Sequence, residues 1–268
     1  MLKDITIGQY FPGNSVIHRL DPRFKIIITI IYIVMLFTGD SMACLAVGAV
    51  FTAMMLVLSG IKLKMYLKSI RPLMPFLVIT ALINLFLVSS GEVLWHWKFL
   101  KITSEGVNIS VFMIVRIVLL IMGTSVLTYT TSPITLTDAI ERLLSPLKKL
   151  RFPVHELAMM MSIALRFIPT LIEETDKIIS AQKARGAEID SGSFTTRARN
   201  LISILVPLFI SSFRRADELA TAMECRCYNG GEGRTRLRQL KSAPRDYIAL
   251  AVTLLFLAVV ITLKIIGI

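Results

Sequence analysis

Charged side chains are absent from long stretches of this sequence. Residues 41–61, 72–91 and 117–137 contain none, and the shorter runs 26–39 and 247–263 also lack them. A helix needs about 20 mostly apolar residues to cross roughly 30 Å of membrane hydrocarbon. Five such runs exclude an ordinary soluble domain. The sequence therefore predicts a polytopic, all-α membrane protein with five spans, of which 26–39 is the shortest.

Residues that carry out catalysis or hold metals are also scarce. Three cysteines are too few for a disulfide framework, and Cys225 and Cys227 lack the second Cys pair or His cluster of a zinc site. The three histidines are scattered, and no G-x-x-x-x-G-K-[ST] phosphate-binding loop occurs. We therefore expect a chain that is not an enzyme and that holds no metal or cofactor of its own.

Basic residues concentrate in alternate segments between the predicted spans. The N-terminal segment, the second connection and residues 132–246 are rich in Lys and Arg, whereas the first and third connections hold few. Cytoplasmic segments of membrane proteins carry this excess, which explains the net charge of +12 without nucleic acid. We expect a plasma-membrane protein with three parts: 1–131 with four spans and a cytoplasmic N-terminus, a cytoplasmic segment 132–246, and a last span in 247–268.

Two basic residues border the spans. Lys25 precedes the first span, and its stem is expected to lie along lipid with the ammonium group at the headgroups. Arg116 is expected near the start of the fourth span, where a buried charge is costly. Three alternatives are open for Arg116: extension toward the outer membrane interface, pairing within the bundle, and lining of a substrate path.

The segment 132–246 is predicted to form long helices. Ser132 followed by Pro133 is a helix start signal, and Pro146 is expected to bend or end that helix. Further helices are expected over 153–186 and 193–228, each followed by glycine.

Parts of the last two helices, 157–172 and 201–213, are almost apolar all round. A transmembrane hairpin would carry several basic residues outside, against the charge rule. Helices beside the membrane, covered by partner subunits, fit better. Pro169 and Pro207 lie inside these parts and are expected to kink or break the helices.

The two long helices end alike, in a small residue, an arginine and another small residue. Arg near a helix C-terminus favours the helix dipole, so capping alone could explain both. Duplication points instead to docking, since each helix presents one guanidinium fork suited to a partner's carboxylates. The two motifs are Ala184-Arg185-Gly186 and Cys225-Arg226-Cys227.

Several motifs together resemble the transmembrane component of energy-coupling factor (ECF) transporters, the EcfT family. The motifs are Tyr10-Phe11-Pro12-Gly13, Leu20-Asp21-Pro22-Arg23, Ala164-Leu165-Arg166-Phe167-Ile168-Pro169-Thr170-Leu171, Ala181-Gln182-Lys183-Ala184-Arg185-Gly186, Ala222-Met223-Glu224 through Tyr228, and Glu232-Gly233-Arg234. The resemblance implies two to three long coupling helices whose arginines dock on two ATPase subunits, which bind ATP and Mg²⁺. The second motif lacks its usual glycine, and Gly230 or Gly231 is expected to supply the turn instead.

The resemblance further implies that this chain is the coupling subunit of an ATP-driven uptake transporter. It would transmit ATPase motion to a membrane-embedded, substrate-binding S component, with vitamins as the expected substrates. We expect the apolar halves of the long helices to contact the S component. The residues expected there are Met160, Leu165, Pro169, Leu205 and Pro207.

Two other classes of protein compete with this interpretation. A secondary transporter that binds its own solute needs paired broken spans with polar groups at mid-membrane, and Asn84 is the sole amide expected there. A membrane enzyme needs convergent catalytic side chains, and the sequence does not group any.

Overall fold

The computed structural model describes residues 10–87, 93–97, 100–146, 153–186, 194–230 and 242–267. The helices are α1 (Pro22–Thr38), α2 (Met42–Ser59), α3 (Leu63–Ile70), α4 (Met74–Leu87), α5 (Ser104–Thr130), α6 (Pro133–Leu144), α7 (Val154–Ala184), α8 (Phe194–Cys225) and α9 (Pro244–Ile266). The predicted all-α membrane architecture is confirmed. Between α4 and α5 lie two short antiparallel strands, β1 (Val93–Trp97) and β2 (Leu100–Thr103), which the sequence analysis did not anticipate.

The chain divides into two compact units. Of the described residues, the bundle unit comprises those in 10–136 and 242–267, and the arm unit comprises those in 137–230. The bundle unit contains α1 to α5 and α9, whereas α7 and α8 make up most of the arm unit.

Five described helical stretches are long and apolar enough to cross a membrane, as predicted. They are α2, the stretch Leu63–Phe86, α5, α7 and α9. The set differs from the predicted one, because α1 has only 17 residues and α7 takes its place. At 1.5 Å per residue α1 is about 26 Å long, at the lower limit for a span. The placement of α7 beside the membrane stays a prediction.

The basic connection after α2 is helical rather than a loop. Its helix α3 is amphipathic: Tyr66 and Ile70 are buried one turn apart, while Lys64 and Lys68 are exposed. A 3₁₀ turn, Arg71–Leu73, joins α3 to α4. The charge-free run 72–91 therefore predicted only α4, the second part of the helical stretch Leu63–Phe86.

Tyr32 is the centre of the bundle unit's core. Its side chain is 3% exposed, and its hydroxyl donates to the Leu119 carbonyl at 2.7 Å while Thr52 Oγ1 lies 2.8 Å away. The ring packs against Gly123, where an added Cβ would collide with it. Glycine at 123 thus allows α5 to approach α1 closely.

Lys25 and Arg116 each bind the C-terminal end of the other's helix. Lys25 of α1 donates to the Thr130 carbonyl of α5 at 3.0 Å. Arg116 of α5 donates to the Gly39 carbonyl that follows α1. Cations at helix C-termini complement the helix dipole and satisfy free carbonyls. The two side chains therefore fasten α1 and α5 together near both ends of α1.

These contacts correct two predictions. Lys25 is 5% exposed and lies inside the bundle unit rather than along lipid. Arg116 lies in the middle of α5, because the helix begins at Ser104 and extends well before the charge-free run. It is 8% exposed and stacks on the Phe112 ring at 4.5 Å, so it pairs within the bundle.

The ends of α9 also fasten α1. The Asp246 carboxylate accepts from the Asp21 backbone N–H at 2.9 Å. At the other end, Lys264 donates to the Thr38 carbonyl at 3.0 Å and pairs with Asp40 at 2.7 Å. The hydrogen bond from Lys264 lowers the pKa of the Asp40 carboxyl below its usual range. Asp21 caps α1, accepting from the Arg23 N–H.

Candidate docking sites at the ends of α7 and α8

The arm unit is built on two long helices. They have 31 and 32 residues, close to the predicted bounds, and span roughly 46 and 48 Å at 1.5 Å per residue. Both continue through their internal prolines, Pro169 and Pro207, so the break expected there is absent. The preceding helix α6 ends at Leu144, before Pro146 as predicted.

The two long helices pack side by side and antiparallel. Near the end of α7, the Gln182 side chain donates to the Ser203 carbonyl in the first third of α8 at 3.3 Å. Near the start of α7, Met159 lines the same groove as Met223 of α8. Residues late in one helix thus face residues early in the other.

The antiparallel arrangement separates the two arginines. Arg226 lines the groove that contains Met159, whereas Arg185 follows Met159 by 26 residues along α7. At 1.5 Å per residue this separation is about 39 Å. The two guanidinium groups therefore belong to opposite ends of the helix pair, and one compact ligand cannot reach both.

The first motif forms the end of α7, here called the α7 tip (residues 184–186). Arg185 is the C-cap, and its N–H donates to the Ala181 carbonyl at 3.2 Å. Gly186 follows with φ 85°, and its N–H donates to the Lys183 carbonyl at 3.0 Å. A left-handed glycine after the cap is a common helix ending, as the sequence indicated.

The second motif forms the α8 tip (residues 225–227). The Tyr228 N–H donates to the Met223 carbonyl at 3.0 Å, and the Cys227 N–H donates to the Glu224 carbonyl at 2.8 Å. This pair of bonds is a Schellman ending with Arg226 as the cap. The left-handed residue is Cys227 itself, with φ 56°.

This geometry corrects the expectation that a later glycine supplies the turn. Gly230 has a left-handed φ of 73°, but it lies three residues after Cys227, the left-handed residue of the α8 ending. Gly231 and the motif 232–234 lie outside the described residues. Loss of the glycine has therefore not removed the turn, and Cys227 adopts it at the energetic cost of a side chain in that region.

All six motif residues are exposed. Within the described parts of the chain, neither Arg185 nor Arg226 has an ion-pair or side-chain hydrogen-bond partner. Each guanidinium therefore offers its planar set of donors to a partner. Helix capping by the arginine side chain, the simpler explanation of the two motifs, is not observed at either end, since only backbone groups close the helices.

The residues expected to contact a membrane partner are spread along both helices. Met160 and Leu205 are exposed, at 54% and 38%, Pro169 is exposed, and Leu165 and Pro207 are partly exposed. Leu205 belongs to a wider apolar surface on α8. Its exposed large side chains are Leu201, Ile202, Leu205, Val206, Phe209, Ile210 and Phe213.

The pairing of α7 with α8 changes how this surface relates to the tips. The apolar half of α7 lies beside the arginine-tipped half of α8. The assignment of different partners to the two halves of each helix stays a prediction. Sequence analysis missed the antiparallel pairing because helix pairing direction is not encoded in the period of either helix.

Metal-binding groups do not cluster in the described parts of the chain. No three His, Cys, Asp or Glu side chains come together there. Cys225 and Cys227 are free and exposed, and Cys44 is buried in the bundle unit.

These features define a class: a helical, multi-pass membrane protein with a separate pair of long helices that present two arginine tips. Residues 13–237 match the family model described as "Cobalt transport protein" (CbiQ). The chain is 53% identical over 264 residues to the energy-coupling factor transporter transmembrane protein EcfT of Ruminiclostridium cellulolyticum, covering 98% of each chain. It is 56% identical over 250 residues to EcfT of Clostridium kluyveri, covering 93% of each.

EcfT of Bacillus subtilis is 43% identical over 263 residues, covering 96% of this chain and 99% of the relative. The chain belongs to the EcfT family of energy-coupling factor transporter transmembrane proteins. It is a transmembrane component of a multi-subunit transporter, and the predicted resemblance is confirmed.

Proposed function

We propose that this chain couples two ATPase subunits to a membrane-embedded S component in an ATP-driven uptake transporter. The observation that carries the proposal is the pair of exposed arginine tips at opposite ends of α7 and α8, about 39 Å apart along α7. Two similar docking elements at this separation suit two copies or relatives of one cytoplasmic partner. A single small-molecule ligand does not require them.

In this proposal ATP and Mg²⁺ are bound by the ATPases, and this chain contributes no catalytic group. Arg185 and Arg226 each bind carboxylates or carbonyls of one ATPase through charge-assisted hydrogen bonds. The flanking Ala184, Gly186, Cys225 and Cys227 have small side chains, which permit close approach of the partner's backbone.

The S component would bind the exposed apolar faces of the helices. The stripe on α8 that includes Leu205 and Phe209 is too apolar to remain in water. Met160, Leu165 and Pro169 would contribute from α7, and Pro207 would contribute from α8. Lipid covers the outward faces of the bundle unit, which spans the plasma membrane.

The orientation follows from the charge asymmetry of the connections, with the N-terminus and residues 132–246 in the cytoplasm. The substrate would be selected by the S component. The family model's description names cobalt, whereas the names of the relatives state no substrate. We propose that this chain serves micronutrient uptake, with vitamins as the substrates.

Purification of the tagged chain from its own membranes tests the assembly. Two ATPase subunits and at least one small apolar membrane protein should co-purify in fixed proportion. Recovery of the chain alone, active in solute uptake after reconstitution, would contradict the proposal and favour a self-sufficient secondary transporter.

A further inference from the structure

A groove lies beside the α8 tip, between the start of α7 and the end of α8. It has a volume of about 450 Å³, and its apolar lining consists of Met159, Ile163, Leu219 and Met223. Arg226 and Cys227 of the α8 tip line one end of it. The docking arginine thus stands directly next to an apolar recess built by both long helices.

We propose that this groove receives an apolar side chain of the ATPase that docks at the α8 tip, next to the carboxylate that binds Arg226. The inference rests on the proposed function, and it adds a second contact to that docking site. It also makes the site depend on α7, which supplies half of the lining.

Three properties of the groove favour this occupant. An apolar recess with a polar, charged border has the anatomy of a protein–protein anchor site. Two of the four apolar residues are methionines, whose flexible thioethers adapt to an inserted side chain. The positive charge of Arg226 at the border selects a segment that carries an acidic group beside its apolar residue.

At the α7 tip, a Cβ placed on Gly186 would meet no atom of the described parts of the chain within 4 Å. We expect docking at the α8 tip to share its binding energy between Arg226 and the groove, and docking at the α7 tip to depend more on Arg185. Arg226→Ala should weaken ATPase binding less than Arg185→Ala does.

The test measures binding of the purified ATPases to the full-length chain in lipid nanodiscs. Met159→Glu places a carboxylate in the groove, where it opposes entry of an apolar side chain and competes with the partner's carboxylate for Arg226, and it should weaken binding by about tenfold. Met161→Glu is the matched control, because Met161 is exposed on the same helix and does not line the groove. Met159→Ala, a milder change, should weaken binding about threefold to tenfold by loss of one buried contact.

A second readout uses the exposed thiol of Cys227 in a Cys225→Ser background, where Cys44 is buried. ATPase binding should slow alkylation of Cys227 by at least about tenfold if the groove is filled, as expected for an anchor that excludes water. Unchanged alkylation, or equal effects of Met159→Glu and Met161→Glu, would overturn the groove proposal. So would loss of a dimer of this chain on Met159→Glu without ATPases, which would assign the groove to a second copy.

Failure of the groove proposal is distinguishable from failure of the proposed function. In the first case Arg185→Ala and Arg226→Ala still weaken ATPase binding while Met159 variants do not. In the second case none of these four variants changes binding.

Discussion

Gly186 and Cys227 occupy equivalent positions in the two helix ends, each directly after the arginine that caps its helix. Both have a left-handed backbone, with φ of 85° and 56°. The backbone N–H of each donates to the carbonyl three residues earlier. The two motifs, which share only Arg in sequence, are therefore alike in backbone geometry.

Replacement of Cys227 by glycine tests whether this geometry is strained. A side chain in the left-handed region costs on the order of 1 kcal/mol, so Cys227→Gly should raise thermal stability and preserve ATPase binding. Cys227→Val should do the opposite, because a β-branched residue is least compatible with this region. The measurements are thermal unfolding and ATPase affinity of the purified chain. Cys225→Ala, in regular helix, is the control, and lower affinity of Cys227→Gly would contradict the assignment.

The second prediction concerns the close packing of Gly123 against Tyr32. Gly123→Ala should destabilise the bundle unit by about 1–3 kcal/mol, because the new methyl group collides with the Tyr32 ring. In a Tyr32→Ala background the same substitution should cost much less, giving a large coupling energy in a double-mutant cycle. Additive effects of the two substitutions on the unfolding midpoint would show that Gly123 is not what allows α5 to approach α1 closely.

The third prediction concerns the hydrogen bond from Lys25 of α1 to the C-terminal end of α5. Lys25→Met keeps the shape of the side chain but leaves the buried Thr130 carbonyl without its donor, at a cost of about 1–3 kcal/mol. Lys64→Met, at an exposed position of α3, should change stability little. Thermal unfolding in detergent compares the two, and equal effects would remove the structural role of Lys25.

Thiol accessibility tests the proposed orientation. An impermeant maleimide should not label Cys225 or Cys227 in intact cells and should label both in inverted vesicles from which the ATPase subunits have been stripped. Asp40→Cys in a Cys225→Ser, Cys227→Ser background should show the reverse, since Asp40 is exposed between α1 and α2. Labelling of the native pair from outside intact cells would invert the topology.

Sequence reasoning predicted the membrane class, the number of apolar helices and the starts and ends of α7 and α8. These features depend on local signals: charge-free runs, Pro at helix starts and glycine after helix ends. It misplaced Arg116 because the polar residues of α5 between Ser104 and Arg116 hid the start of the helix. It also expected a kink or a break at Pro169 and Pro207, and both helices continue through these residues without a break.

The candidate site was predictable only in part. The arginines were identified from their duplicated motif, and the exposure of both was expected. The left-handed Cys227 was not, because cysteine gives no signal for that conformation. The groove beside Arg226 arises from the pairing of Met159 with Met223 across 64 residues of chain, a contact that neither helix's period specifies.

The most direct test of the central claim is transport by the double variant Arg185→Ala, Arg226→Ala in the assembled complex. Each arginine contact is worth about 1.5–3 kcal/mol, so the single variants should retain part of their ATP-driven uptake and the double variant should lose it. The S component should still bind substrate with unchanged affinity when isolated. Uptake by the double variant at the wild-type rate would contradict the account, because neither guanidinium would then link this chain to its source of energy.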